Sequence, residues 1–263
     1  MNYSYLCSMI SKAKVKYIRS LEQKKYRRQE GVFVAEGPKV VGDILAEHPA
    51  RMLVATKEWI RCNKERGFAC DEFIEVDEET LRKLSFLQHP QDVLAVFDQW
   101  ETGKAVVPER ELLLALDGVQ DPGNLGTIIR IADWFGIRHI LCSIDTADVY
   151  NPKVVQATMG SIARVSVGYV DLVSLLSSLP KDFPVYGTLL NGDDIYNQPL
   201  QNEGIIVMGN EGNGISPAVA HHVNSRLLIP NYPIGRKSTD SLNVAVATAV
   251  VCAEFRRRNL NQS

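Results

Sequence analysis

Three stretches of the chain hold residues whose types and spacing suit chemistry at a ligand. The first is DGVQDPGNLGTIIRIADWFG, 117–136. Asp121-Pro122-Gly123-Asn124 fits a type II turn, with Pro second and Gly third, and Asn124 then caps a helix. Arg130 falls six residues later and shares a face with Thr127 rather than with Ile128 and Ile131. A permanently charged guanidinium there suits a phosphate or an oxygen gathering negative charge. The second stretch is IIVMGNEGNGISP, 205–217: a buried strand, a glycine-rich loop, then Ser216 as cap and Pro217 opening a helix. It has neither a dinucleotide fingerprint nor a P-loop. Glu211 in its centre would repel a phosphate and suits a cation or a hydroxyl-rich ligand. The third stretch is RLLIPNYPIGRKSTDSLNVA, 226–245. A strand ends at Ile229-Pro230, and Ser241-Leu242-Asn243 enters an apolar helix, where a buried Asn243 needs partners.

Each stretch alone is explained by a turn or a helix cap. What surrounds them gives them a setting. From 105 onwards, ELLLALDGV, HILCS, VYGTLL, IIVMG and RLLIP read as strands. Helices are expected from Asn124 to about Phe135, through PKVVQATMGSIARV, and from about Ser241 to the end. Continuous apolar strands alternating with helices imply an α/β fold with a mostly parallel sheet covered on both faces. Ligands bind such sheets at the carboxyl ends of the strands. The last helix is apolar nearly all round, which favours burial in a core or a dimer interface.

The first hundred residues form a separate, smaller α/β unit. A basic helix spans 8–30, followed by the strand GVFVAEG and a helix opened by Pro38. RMLVAT, FIEVD and VLAVFDQW are further strands, with a capped helix at DEETLRKLSF. The polar segment 101–110 marks the boundary, giving domains 1–104 and 105–263.

The net charge of −2 excludes a protein coated with positive charge. Yet nine Lys/Arg stand against three Glu between Lys12 and Lys39. A basic stripe with tyrosines nearby suits a nucleic-acid backbone at Lys24, Lys25, Arg27 and Arg28, although a solvated helix face explains the charge as well. The cysteines are scattered and the histidines dispersed, so no metal is expected. No run is long enough to span a bilayer and no secretory signal is present, which places the chain in the cytoplasm.

Taken together, the three stretches resemble the signature motifs of the SpoU-type RNA ribose 2′-O-methyltransferases, within the SPOUT class. The matching residues are Asn124-Leu-Gly126-Thr-Ile-Ile-Arg130, then Gly209-Asn-Glu211-Gly212-Asn-Gly214, then Ile229-Pro230 with Ser241-Leu242-Asn243-Val244. NPKVVQATMGS is similar to the family's helix between the first two. The N-terminal part resembles, more loosely, the family's small ribosomal-protein-like substrate-binding domain. The resemblance implies a deep trefoil knot at the C-terminus, a homodimer, and S-adenosylmethionine as cofactor. Gly209, Ile229 and Leu242 would meet the cofactor through backbone groups, flanked by Asn210, Gly212, Pro230 and Val244, with Thr188 and Leu189 lining the same pocket. The loop NYPIGRKSTD is longer than the family's usual one, and its Arg236 and Lys237 would meet RNA phosphate.

The implied reaction is attack of a ribose 2′-oxygen on an activated methyl group. Arg130 would hold the neighbouring phosphate and stabilise developing charge rather than act as base. Asn124, Glu211, Ser241 and Asn243 would order the site. The proton would leave to the phosphate or to water. Ribosomal RNA is the expected substrate. The alternatives are a transfer RNA enzyme, or an RNA-binding protein that kept the fold without catalysis.

Overall fold

The computed structural model describes residues 10–63, 67, 69–100, 110–233 and 241–259. The chain divides into two compact units. One comprises Met1–Glu101 with Asp148–Ala163, the other Thr102–Ala147 with Arg164–Ser263.

The first unit begins with α1 (Lys12–Ser20) and α2 (Lys24–Glu30), in place of the one continuous helix expected. The break has a cause. Gln23 is extended, and the Arg27 guanidinium folds back to bond the carbonyls of Leu21 (3.0 Å) and Glu22 (2.6 Å), which the helix would otherwise use. β1 (Val32–Glu36), α3 (Pro38–Leu45), β2 (Ala50–Thr56), α4 (Lys57–Asn63), β3 (Cys70–Val76), α5 (Glu78–Leu84) and β4 (Val93–Asp98) follow. Asp77 caps α5 through Thr80 N at 2.7 Å, and two glutamates in its first turn suit the helix dipole, as expected. The strands form a sheet in the order β1-β4-β2-β3, with β4 antiparallel to both neighbours. Alternate residues of its strands pack with Ile18, Leu21, Leu81 and Leu84 into one core.

The second unit contributes β5 (Leu112–Asp117), α6 (Pro122–Trp134) and β6 (His139–Cys142). The chain then makes α7 (Pro152–Ala157), which belongs with the first unit and packs on β1. Three contacts within that unit hold the excursion. Arg27 pairs with Asp148 at 2.6 Å, Tyr150 donates its hydroxyl to the Trp100 carbonyl at 2.8 Å, and Phe33 packs on the Tyr150 ring. A cut at 104 therefore leaves out a piece of the first unit. The helix expected over 152–165 stops early because Met159 and Gly160 take positive φ (52° and 95°).

The second unit resumes with β7 (Ser166–Tyr169), α8 (Leu172–Ser177), β8 (Val185–Asp194), β9 (Gly204–Gly209), α9 (Pro217–Ala220), β10 (Ser225–Leu228) and α10 (Val244–Asn259). β7 and α8 are additional to the elements expected from sequence. Six strands pair in the order β10-β8-β9-β5-β6-β7, and every pairing is parallel. β5 and β9 are buried along their whole length, as continuous apolar runs between covered faces should be.

Candidate functional site

In the second unit, the sheet order places the carboxyl ends of β5, β9, β8 and β10 side by side. These ends carry all three sequence stretches. The loop after β5 does not form a type II turn. Pro122 and Gly123 are already the first turn of α6, and Asp121 is its cap, accepting from Asn124 N at 2.8 Å. This correction matters, because Asn124 is then inside the helix and its amide is free to point elsewhere.

The loop after β9 closes on itself through Asn210. Its backbone exchanges two hydrogen bonds with Gly214 (3.0 and 2.9 Å). Its Oδ1 accepts from Gly212 N and Asn213 N, and its Nδ2 donates to Gly118 O at 2.7 Å. The Asn210 side chain thus builds the loop rather than standing open for a ligand. A Cβ on Gly209 would lie 2.2 Å from the Gly214 carbonyl carbon, so only glycine lets the loop close. Asp117, ending β5, accepts from Ser216 N at 2.7 Å, and Ser216 caps α9 as expected.

The loop after β10 delivers Asn243 to the head of α10, which begins three residues later than the sequence suggests. Asn243 is exposed, not buried. Its partners are nevertheless found. Oδ1 accepts from Ala245 N (3.0 Å) and Val246 N (3.2 Å), a helix cap worth about 1 kcal/mol. Nδ2 donates to Asn124 Oδ1 at 2.9 Å, and Asn124 Nδ2 donates to Glu211 Oε1 at 2.6 Å. One residue from each stretch therefore joins a single line, Asn243–Asn124–Glu211.

Beside this line lies a cavity of about 470 Å³. Its walls include Thr188, Leu189, Gly209, Asn210, Glu211, Gly212, Ile229, Ser241, Leu242 and Val244. Pro230 is not among them. Leu190, Asn191, Met208, Ile215, Leu227 and Ala247 are walls that sequence reasoning missed. The means by which β8 contributes is hidden from sequence. Its register against β10 jumps from Gly187 to Asp193, so Thr188–Asn191 leave the ladder and face the cavity. A Cβ on Gly192 would lie 2.7 Å from the Leu227 carbonyl carbon, which explains how the strand returns so tightly. Asp117 leaves a readable signal, an acid closing the apolar run LLLALD.

Arg130 stands on the exposed face of α6 and forms no hydrogen bond or ion pair among the described residues. Lys24, Lys25 and Arg28 are exposed on α2. Arg27 is a correction. It is 1% exposed, enclosed by two carbonyls and Asp148, and so is unavailable to a phosphate. Arg236 and Lys237 lie outside the described residues. Among the described residues no group of His, Cys, Asp or Glu is placed to hold a metal ion, and no helix is long and apolar enough to cross a membrane.

The cavity's size is that of a small-molecule site. Apolar walls with backbone edges from three loops suit an adenosine-sized ligand, and Glu211 adds a negative charge favourable to a cationic one. S-adenosylmethionine meets both demands.

A family model described as the SpoU rRNA Methylase family matches residues 111–253, and one for an MRM3-like substrate binding domain matches residues 12–95. The 23S rRNA (guanosine(2553)-2'-O)-methyltransferase of Bacillus subtilis is 32% identical over 247 residues, covering 92% of this chain and 96% of that protein. A structure from Porphyromonas gingivalis, described as an RNA methyltransferase of the TrmH family, superposes with a TM-score of 0.84 at 44% identity, covering 95% of this chain and 100% of that one. The rRNA methyltransferase from Sinorhizobium meliloti, solved with S-adenosylmethionine bound, gives 0.80 at 31% identity, covering 95% and 97%.

Proposed function

The chain belongs to the SpoU rRNA methylase family, and we propose that the cavity and the line Asn243–Asn124–Glu211 beside it form its methyl-transfer site. The chain is an S-adenosylmethionine-dependent RNA 2′-O-methyltransferase. Ribosomal RNA is the substrate class that the relatives' names favour over transfer RNA. The observation that carries the site is the hydrogen-bonded line itself, which draws one residue from each of three distant stretches together beside one cavity.

The backbone of Gly209, Gly212, Ile229, Leu242 and Val244, with Thr188 and Leu189, would hold the cofactor. When bound, it supplies a methyl group on a positively charged sulfur. The protein's task is then to orient a ribose oxygen and manage its proton. Arg130, which has no partner among the described residues, grips the RNA phosphate next to the reacting ribose and stabilises charge developing on oxygen. Ser241, on the cavity wall, adds a polar contact. Lys24, Lys25 and Arg28 hold the RNA backbone from the N-terminal unit, and Arg236 with Lys237 do so from the long loop.

We take the second unit to carry the deep trefoil knot of the SPOUT class, a reading supported by its likeness to the family's solved structures. We also take the enzyme to be a cytoplasmic homodimer. The nearly all-apolar last helix supports this reading, and Trp134 on α6 and Val246 on α10, 84% and 52% exposed, are residues a second copy would cover. Light scattering should give twice the chain mass.

The test is transfer of labelled methyl from S-adenosylmethionine to purified ribosomal RNA and transfer RNA, offered separately. Label in ribosomal RNA alone, at the 2′-position after nuclease digestion, is the expected result. Label confined to transfer RNA would reverse the substrate assignment.

A further inference from the structure

The two amides in the line cannot be turned around. Asn243 Oδ1 is identified by the two backbone N–H groups it accepts, Ala245 N and Val246 N. Its Nδ2 must then face Asn124, which receives it on Oδ1 and has only Nδ2 left to offer Glu211. Flipping Asn124 would set an NH₂ against an NH₂ at one end and an oxygen against a carboxylate at the other. The direction of the line is therefore set by the first turn of α10, and it ends by fixing Glu211 Oε1 as an acceptor.

Glu211 Oε2 has no partner among the described residues. Glu211 is half-buried on the cavity wall, and among the described residues it is the only acid or base lining that cavity. The other groups near the site do not suit proton removal. Arg130 keeps its proton in proteins. Asp117 is buried and is not on the cavity wall. His48, His89, His139, His221 and His222 are absent from the cavity wall.

We propose that Glu211 is the general base of the reaction, and that Asn124 and Asn243 are positioning residues acting through it. This inference deepens the ribose-methylation reading of the same site and rests on it. In the step, the 2′-O–H bond breaks and its proton passes to Glu211 Oε2. The oxygen's electron pair forms the new bond to the methyl carbon. The pair of the methyl–sulfur bond stays on sulfur. A carboxylate and a sulfonium are thereby replaced by a neutral acid and a thioether, so the opposite charges disappear together. The acid then returns its proton to water.

Glu211→Gln is the first test, because its amide oxygen still accepts from Asn124 and keeps the line intact. Single-turnover methyl transfer should fall about 10²- to 10⁴-fold. RNA binding should stay within about threefold of the wild type, and calorimetric affinity for S-adenosylmethionine should fall far less than the rate, since only one charge among the cavity's many contacts is lost. Formate should restore part of the rate to Glu211→Ala, supplying the missing carboxylate. Asn124→Ala should lower kcat with little change in KM for S-adenosylmethionine, and the conservative Asn124→Gln should restore part of the rate. Wild-type-like turnover in Glu211→Gln would overturn the proposal, as would a loss of cofactor affinity equal to the loss of rate. A wild-type chain that binds cofactor but labels no RNA would overturn the functional reading, and this inference with it. A wild type that labels RNA beside an equally active Glu211→Gln would overturn the inference alone.

Discussion

Arg27 of the first unit and Arg130 of the second are alike in sequence, each a cation on a helix in a stretch suited to RNA. Their surroundings make them opposites. Arg27 is buried and bonded to two local carbonyls and Asp148, with its Nε left without a partner among the described residues. Arg130 is exposed and unbonded among the described residues. The same contrast runs through two glutamates. Glu36 in the first unit is buried, with Ser85 Oγ donating to one oxygen and Phe86 N donating to the other at 2.9 Å. Burial pushes its carboxyl above the ordinary range against those two donors. Glu211 has one oxygen without a partner among the described residues. In these two comparisons the first unit's charge is bonded within the protein, and the second unit's keeps groups without partners among the described residues.

Arg27→Ala should give the largest effect on stability, because it leaves Asp148, 17% exposed, without its cation and empties a buried site. The cost should fall towards the lower end of the about 3–5 kcal/mol of a fully buried pair. Denaturant unfolding of the full chain measures it. A loss under about 1 kcal/mol would show that Arg27 is not structural and break the comparison from that side.

Arg130→Ala should do the reverse. The unfolding midpoint should not move, cofactor affinity should hold, and turnover should fall about 10²- to 10³-fold. Equal losses in cofactor affinity and in rate would assign Arg130 to cofactor binding instead.

Replacing Lys24, Lys25 and Arg28 together by Gln sharpens the comparison within one helix. RNA affinity should weaken, and its dependence on salt should flatten by roughly 0.7 for each lost contact with single-stranded RNA. Arg236→Gln with Lys237→Gln should flatten the slope in the same assay. An unchanged slope in either set would remove those residues from the RNA surface.

How far the sequence reveals this division depends on what kind of fact is asked for. Strands such as LLLALD and IIVMG are continuous apolar runs, and the parallel sheet follows from them because both its faces are covered. The three loops are legible because they carry glycines, caps and prolines at fixed offsets. Burial of a cation is not legible. KKYRR reads the same whether its third cation faces water or folds back on the carbonyls of Leu21 and Glu22, and the partner Asp148 lies 121 residues away. The register jump in β8 is hidden for a similar reason, since it exists only between two strands. The amide line is half legible. Its members stand out in sequence as polar residues of the site, but Asn124 reads there as the cap of a helix that Asp121 caps instead.

The smallest effect tests how much an ion pair of the second unit adds to stability. Glu254 on α10 is a buried carboxylate that accepts from Arg257 (2.7 and 2.9 Å) and from Arg258 (2.7 Å). Those hydrogen bonds, Arg257 first, hold its carboxyl down at about 2, below the 4.5 of an ordinary glutamate. Arg258 continues to the Gln198 carbonyl at 2.5 Å, tying the end of the helix to the segment before β9. A carboxylate whose folded value is lowered contributes stability that is present above its unfolded value and lost as the pH falls through the folded one. The contribution should therefore be complete at pH 7 and drain away from about pH 4.5 towards 2. Arg257 is largely open to water and screened, so its full size is about 1 kcal/mol or less. Glu254→Gln should accordingly melt a few degrees below the wild type at pH 7, with the gap closing as the buffer is taken down to about pH 3. A gap that stays constant with pH would mean that Glu254 acts by packing alone. In that case this ion pair would add nothing measurable to the stability of the second unit.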